Sequence, residues 1–563
     1  MADAPDAAKR RLKALVSPVK ARLSRAGGLA VTAELLWIPQ AGVIALGLGG
    51  LLGAGATALD PFLAAGLFAL LGLLRHGLDA WAARFTFEAA DAVVAGARAE
   101  LVAAESLRSP QDGARPASAE IAALAGEKLA ALRPYLLRYR PAQLRVMTVP
   151  FVIAVAAVLP VSWAVFLILM VAGPLIPVFM ALVGFAAREA SEKQMVEVGQ
   201  LNALLLERLA ALVDIRLLDA RARAVSGFAA AADGLRARTM AVLRIAFLSS
   251  TVLELFSALG VAMVAVYVGF ALLGEIGFGA WATPLDLREG IFVLMLAPAF
   301  FQPLRDLAAA WHDRAAAVAV AGELAARDES RARRILGQGS AAEPLPGPAA
   351  IAIRGLSYIT PAGRRIAWPD FEVAPGESLA ILGPSGIGKS ALLALLGGLA
   401  AAEAGEVRVA DVPLADGTAD AWRARLGWVG QAPHFLEASL RVNLTLGAGK
   451  VAEARLAEAL ALAEAGEIVA RLPHGLGARL GEAGAGVSGG EARRLMVARA
   501  ALRAPDVILA DEPTADLDAR TAASVTEGLL RLNAGGATLI VATHDPALAA
   551  RMGRQIRLAE AEA

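Results

Sequence analysis

ESLAILGPSGIGKSALLALLGGLA, Glu377 to Ala400, opens on a short apolar run, crosses three glycines and closes on a leucine-rich segment. The pattern predicts a buried strand, a tight loop and a helix. Within it, Gly383-x4-Gly388-Lys389-Ser390 has the spacing of a phosphate-binding loop, in the strand-to-helix context that such a loop requires. Gly383, Ser385, Gly386 and Gly388 would let backbone N–H groups cradle phosphates. Lys389 would reach the β- and γ-phosphates, and the Ser390 hydroxyl would ligate Mg2+. The expected ligands are therefore ATP and Mg2+.

Downstream, DVILADEP (Asp506–Pro513) is an apolar strand ending in two carboxylates. Asp511 at its tip is placed to hold magnesium through water, and Glu512 to orient or deprotonate an attacking water. A further strand, ATLIVATHD, ends at His544, which could contact the γ-phosphate. Strands that end in polar residues beside a phosphate loop predict an α/β domain. Its sheet is parallel, with the ligand at the strand C-termini. Lys389, Glu512 and His544 are the candidate catalytic residues.

VSGGE, Val487 to Glu491, is a second glycine-rich helix start, but no Lys-Ser/Thr follows it. Ser488 and Glu491 have capping-box spacing, which explains those two residues. It does not explain two successive glycines, which cost helix stability. The phosphates of the chain's own nucleotide are already served by Lys389 and its loop. Ser488, Gly489 and Gly490 are therefore expected to meet a nucleotide held by a second subunit.

The N-terminal half is of another kind. No charged residue or histidine occurs from Val146 to Ala187. One span needs about 20 residues, so this run holds two, reversing at Pro160. Apolar runs at 35–59, 61–74, 245–273 and 290–304 bring the expected total to six spans, those at 61 and 290 being short. Lys and Arg concentrate before the first span and in the two long loops after the second and fourth. Both termini are thus expected in the cytoplasm. Residues 1–28 read as a basic amphipathic segment on the cytosolic membrane surface. The spans fill 29–325, a Gly/Pro-rich linker covers 326–348, and the nucleotide-binding domain takes 349–563. Ionisable groups at bilayer depth mark Arg75, His76 and Glu254 as candidates for a substrate pathway. The alternative for them is snorkelling at the membrane edge.

Composition narrows the classes further. The formal charge of the 563 residues is +1, so nothing points to nucleic acid as a partner. The absence of cysteine excludes disulfides, thiolate nucleophiles and zinc–thiolate sites within the chain.

Taken together, these motifs resemble the ATP-binding cassette (ABC) transporter family over nearly the whole length: an all-α six-helix transmembrane domain plus an α/β P-loop domain. The resemblance implies that Gln431 in WVGQ is the Q-loop glutamine, a nucleotide and magnesium contact. It further implies that Ala515–Asp518 is the D-loop, His544 the switch histidine and Tyr358 in GLSY the adenine-stacking aromatic. Val487 and Glu491 depart from the usual Leu and Gln of the signature. In this family two cassettes pair head to tail, each ATP lying between one P-loop and the other signature.

Stretches 172–187, 238–279 and 296–317 more narrowly resemble the CydDC branch of heterodimeric cysteine and glutathione exporters. That implies a CydC-like half-transporter as partner, a small thiol substrate, a bacterial inner-membrane location and support for cytochrome assembly. A homodimeric exporter of lipids or drugs with the same engine stays open at this stage. So does an ATP-gated channel or regulatory receptor.

Overall fold

The structure is a computed structural model; it describes residues 4–52, 59–116, 118–176, 178–179, 204–205, 207–209, 211–281, 284–329, 332–446, 448–481 and 486–558. It divides into two compact units: Met1–Ala99 with Ala122–Glu329, and Glu100–Ile121 with Ser330–Ala563. The short segment Glu100–Ile121, inside the membrane half by sequence, thus belongs with the cassette.

The first unit is helical. Its principal helices are α1 (Ala4–Val16), α2 (Lys20–Leu35), α3 (Trp37–Leu52), α4 (Pro61–Ser106) and α5 (Arg140–Val152). They are followed by α6 (Trp163–Ile176), α7 (Arg221–Leu272), α8 (Leu287–Ala309) and α9 (Trp311–Glu329). Among the described residues, five helical stretches are long and apolar enough to cross a membrane. The sixth expected span is represented by the shorter α6, and the rest of it lies outside the described residues. The chain is a multi-pass membrane protein.

The two spans that looked short are parts of longer helices. At 1.5 Å per residue, the 46 residues of α4 reach about 69 Å, well beyond about 30 Å of hydrocarbon. Phe62, Leu70 and Leu73 on α4 are exposed, as a lipid-facing surface requires. The reversal expected at Pro160 is present: Trp281 donates its indole N–H to Leu159 O, and Ser162 Oγ donates to Gly279 O at 2.7 Å.

One expectation is corrected. The amphipathic N-terminal segment does not offer its apolar face to a membrane surface. Ala8, Leu12 and Val16, on one stripe of α1, are buried, and α1 packs along α9 with Arg11 paired to Asp328. An apolar stripe at i, i+4, i+8 is satisfied equally by lipid or by another helix. Here the helix supplies the cover.

Among the described residues the second unit carries two five-stranded sheets, besides a short antiparallel pairing of Ala438–Ser439 with Arg479–Leu480. In the first, β1 (Ile351–Ile359) pairs antiparallel with β2 (Arg365–Ala367), β3 (Phe371–Val373) and β5 (Ala404–Val409). The second contains β4 (Ser378–Leu382), β7 (Leu426–Val429), β8 (Val507–Asp511), β9 (Thr538–Thr543) and β10 (Arg554–Arg557); β6 (Val412–Pro413) extends the first sheet. Its order is β10-β4-β9-β8-β7 and every pairing is parallel, as the sequence predicts. Strands β8 and β9 are buried throughout, which is why both read as unbroken apolar runs. Helix α10 (Lys389–Leu396) follows β4; α11 (Gly489–Leu502) and α12 (Ala519–Ala534) lie against a separate hydrophobic cluster.

Candidate nucleotide site

The loop between β4 and α10 turns on glycine. Gly388 has φ +105°, and a Cβ there would lie 2.8 Å from Ile366 Cδ1, so both conformation and space require glycine. Lys389, buried at the start of α10, donates to Gly383 O (2.8 Å) and Pro384 O (3.2 Å) and pairs with Glu512 Oε1 (3.2 Å). Parallel strand order thus brings Lys389, Asp511, Glu512 and His544 to the C-terminal ends of three neighbouring interior strands.

Glu512 is the hub of this group. It is buried, its φ of +45° is left-handed, and its N–H donates to Ala542 O. Its Oε2 lies 2.8 Å from His544 Nδ1 and accepts from His544 N at 3.3 Å. A strained non-glycine backbone at a buried carboxylate is a mark of a functional position. The Arg493 guanidinium, itself buried, donates to the Glu512 carbonyl and pins that turn. Sequence reading passed over Arg493; its place two residues after the signature was the available signal. The arrangement can orient a water molecule through Glu512, while His544 and Lys389 fix the two carboxylate oxygens.

Asp511 sits one residue earlier, at the end of β8, and is also buried. Burial pushes its carboxyl above the ordinary aspartate range. A hydrogen bond from Ser390 and the Lys389 charge oppose that shift, and the Glu512 charge adds to it. Its Oδ1 is buried with no partner. A Ser hydroxyl beside a carboxylate with an orphaned oxygen fits a hard, oxygen-seeking cation, so Ser390 and Asp511 suit magnesium. Gln431 stands exposed two residues past the end of β7, the neighbour of β8.

The signature region is a helix start with both halves of a capping box. Ser488 N donates to Glu491 Oε2 (2.8 Å), and Glu491 N to Ser488 Oγ (3.4 Å). Burial works against ionisation of Glu491, but the Arg471 guanidinium and the Ser488 groups hold its carboxyl below the ordinary range. The two glycines prove different. A Cβ on Gly490 would meet Thr521 Cγ2 at 2.4 Å, so helix packing alone accounts for that glycine; a Cβ on Gly489 would meet no described residue within 4 Å. Ser488 and Gly489 are exposed, and among the described residues no hydrogen bond joins either to the P-loop. In the D-loop, Asp518 caps α12 through the N–H groups of Arg520 and Thr521.

Tyr358 is a correction. It was expected to stack on adenine, yet it is only 3% exposed and belongs to the cassette core. Leu356 and Tyr358 share the inward parity of β1, and the Arg333 guanidinium lies 5.0 Å above the ring. No ring face remains for a base.

Among the described residues of the first unit, no hydrogen bond or ion pair joins the three substrate-pathway candidates to one another. Arg75 stacks over Trp37 (5.4 Å), His76 Nδ1 contacts Gly72 O (2.8 Å), and Glu254 is exposed on α7. Sequence reading missed a neighbouring cluster in which Arg145 pairs with Glu34 (3.2 Å) and Asp79 (3.1 Å). Its members lie on α2, α4 and α5, so no local pattern announces them.

Comparison with known proteins agrees with this geometry. A family profile described as "ABC transporter" matches residues 368–515, and one described as "ABC transporter transmembrane region" matches 145–288. The transport ATP-binding protein AarD of Providencia stuartii is 39% identical over 419 residues, 74% of this chain and 71% of that protein. The glutathione/L-cysteine transport system protein CydD of Escherichia coli K12 is 38% identical over 75% of this chain and 71% of its own. CydC of Bacillus subtilis 168 is 28% identical over 85% and 82%. A bacterial Atm1-family ABC exporter with ATP bound superposes with a TM-score of 0.76, at 20% identity, covering 96% of this chain and 94% of that one. That likeness concerns the fold.

Proposed function

Because the chain belongs to the ABC transporter family, whose members couple ATP hydrolysis to transport, we propose that it is one half of a heterodimeric exporter of cysteine or glutathione. Its partner is a CydC-like half-transporter, and the pair carries the thiol from cytoplasm to periplasm in support of cytochrome assembly. The observation that carries this reading is the 38–39% identity to AarD and CydD over three quarters of the chain. The basic loops and N-terminus favour a bacterial inner membrane with both cassettes in the cytoplasm.

In this proposal Lys389 and the glycine loop hold ATP, while Ser390 and Asp511, with Gln431, hold magnesium. Glu512 orients the attacking water and His544 fixes Glu512. Ser488 and Gly489 face a nucleotide on the partner's P-loop. Binding of ATP draws the cassettes together, and hydrolysis releases them. Membrane lipid surrounds the spans.

Inside-out vesicles containing both subunits test this. They should accumulate labelled cysteine or glutathione with ATP, and Glu512→Gln should abolish uptake. Uptake unchanged by that substitution contradicts the mechanism; uptake of lipid but not thiol contradicts the substrate.

A further inference from the structure

The displacement of Tyr358 into the core leaves the base of the nucleotide without an aromatic platform. The hairpin tip joining β1 to β2 holds Thr360, Pro361, Ala362, Gly363 and Arg364, none of them aromatic. This tip nevertheless lies beside the phosphate loop. Ile366 of β2 contacts the P-loop at Gly388 and is paired in register with Tyr358. The Arg333 guanidinium lies over the Tyr358 ring, 5.0 Å from its centroid.

Arg333 is held unusually well for a residue in a polar linker. Its guanidinium donates to Ile359 O and Thr360 O and lies over the Tyr358 ring. Its backbone N–H donates to Asp112 Oδ2 (3.3 Å), and its carbonyl accepts from Ser109 N (2.8 Å). Side chain and backbone are thus both fixed, and Arg333 is only partly buried. A planar, delocalised cation with one face on tyrosine presents its other face for stacking, as arginine does with nucleobases elsewhere. Its orientation is set in advance, so little freedom is lost when a base arrives.

We propose that Arg333 supplies the plane on which the base of ATP stacks, giving the order Tyr358, guanidinium, adenine at the tip of the β1–β2 hairpin. This rests on the P-loop reading of the ATP site. It also ties the base to the segment Glu100–Ile121. Ser109 donates through Oγ to Leu399 O, so the segment that holds the Arg333 backbone is itself hydrogen-bonded to the end of the helical turn after the P-loop.

The test uses the assembled transporter and photolabelling with 8-azido-ATP, resolved by subunit. ATP and inorganic tripolyphosphate are compared as protectants of this chain. Arg333→Ala should weaken protection by ATP about 3- to 30-fold, the range of a lost cation–π contact, and leave tripolyphosphate unchanged. Arg333→Tyr should restore most of the ATP affinity. Unchanged ATP protection, a parallel loss for both protectants, or no restoration by tyrosine would overturn the proposal. Lys389→Ala should weaken both protectants. No effect of that change would overturn the P-loop site itself, and the base platform with it.

Discussion

Gly489→Ala and Gly490→Ala are adjacent, chemically identical changes that should fail for different reasons. At Gly490 the new Cβ meets Thr521 Cγ2 at 2.4 Å, more than 1 Å inside ordinary contact. Overpacking of this kind costs about 1–3 kcal/mol, and the better helix propensity of alanine returns up to about 1. A net loss of about 1–2 kcal/mol should lower the melting of the cassette by roughly 2–8 °C. Thr521→Ser removes the offending methyl, and the next atoms stand at 3.4 and 3.5 Å, so Gly490→Ala with Thr521→Ser should melt like the parent. At Gly489 the methyl meets no described residue within 4 Å. Stability should be unchanged or raised by up to about 1 kcal/mol. ATP turnover by the assembled transporter should nevertheless fall roughly 10- to 100-fold, the worth of a charge-assisted hydrogen bond from backbone to phosphate. Thermal melting of the full transporter in detergent and steady-state ATPase rates read both arms. Full turnover in Gly489→Ala would refute the phosphate role. Failure of Thr521→Ser to recover the melting point would refute the packing role of Gly490.

Three further outcomes follow from the cassette. Tyr358→Phe removes a buried hydroxyl that has no partner, so stability should hold or rise and ATP affinity should not change; a weakened ATP affinity would return Tyr358 to the base site. Arg108→Ala strips the buried Asp112 of its ion pair and should cost about 3–5 kcal/mol in cassette unfolding, far more than a surface pair. Burial raises the Asp112 carboxyl, but Arg108 and the N–H groups of Ala114 and Arg333 more than offset this and hold it below the ordinary range. A depressed folded value stabilises above the unfolded aspartate range, near pH 4, and that contribution is lost as pH falls through the folded value. Asp112→Asn should therefore be less stable at neutral pH and converge with the parent in acid, as a pH series of melting curves would read.

What was legible in the sequence was what is local. The strand, glycine loop and helix around Lys389 are read within 24 residues, and fully buried parallel strands announce themselves as unbroken apolar runs. Parity in β1 was also available: Leu356 and Tyr358 are two apart, and an inward Leu356 makes Tyr358 inward. The aromatic type drew attention away from that alternation. Arg333 was hidden because a polar, glycine-rich stretch reads as a linker, and only tertiary structure sets it over Tyr358. The docking of Ser109 on Leu399 spans 290 residues of sequence and leaves no local trace. The stripe of α1 was seen but not its partner, since apolar periodicity records that a face is covered and not by what. Likewise the two signature glycines looked alike until Thr521 distinguished them.

The most direct measurement exploits the chain's lack of cysteine. A single cysteine introduced by Gly489→Cys, paired with one placed in the P-loop of an otherwise cysteine-free partner subunit, reports whether the signature meets the partner's nucleotide. If this chain completes the partner's ATP site, disulfide cross-linking between the two subunits should be strongly promoted by a non-hydrolysable ATP analogue with magnesium, which keeps both sites occupied. Cross-linking that is indifferent to nucleotide would contradict that account.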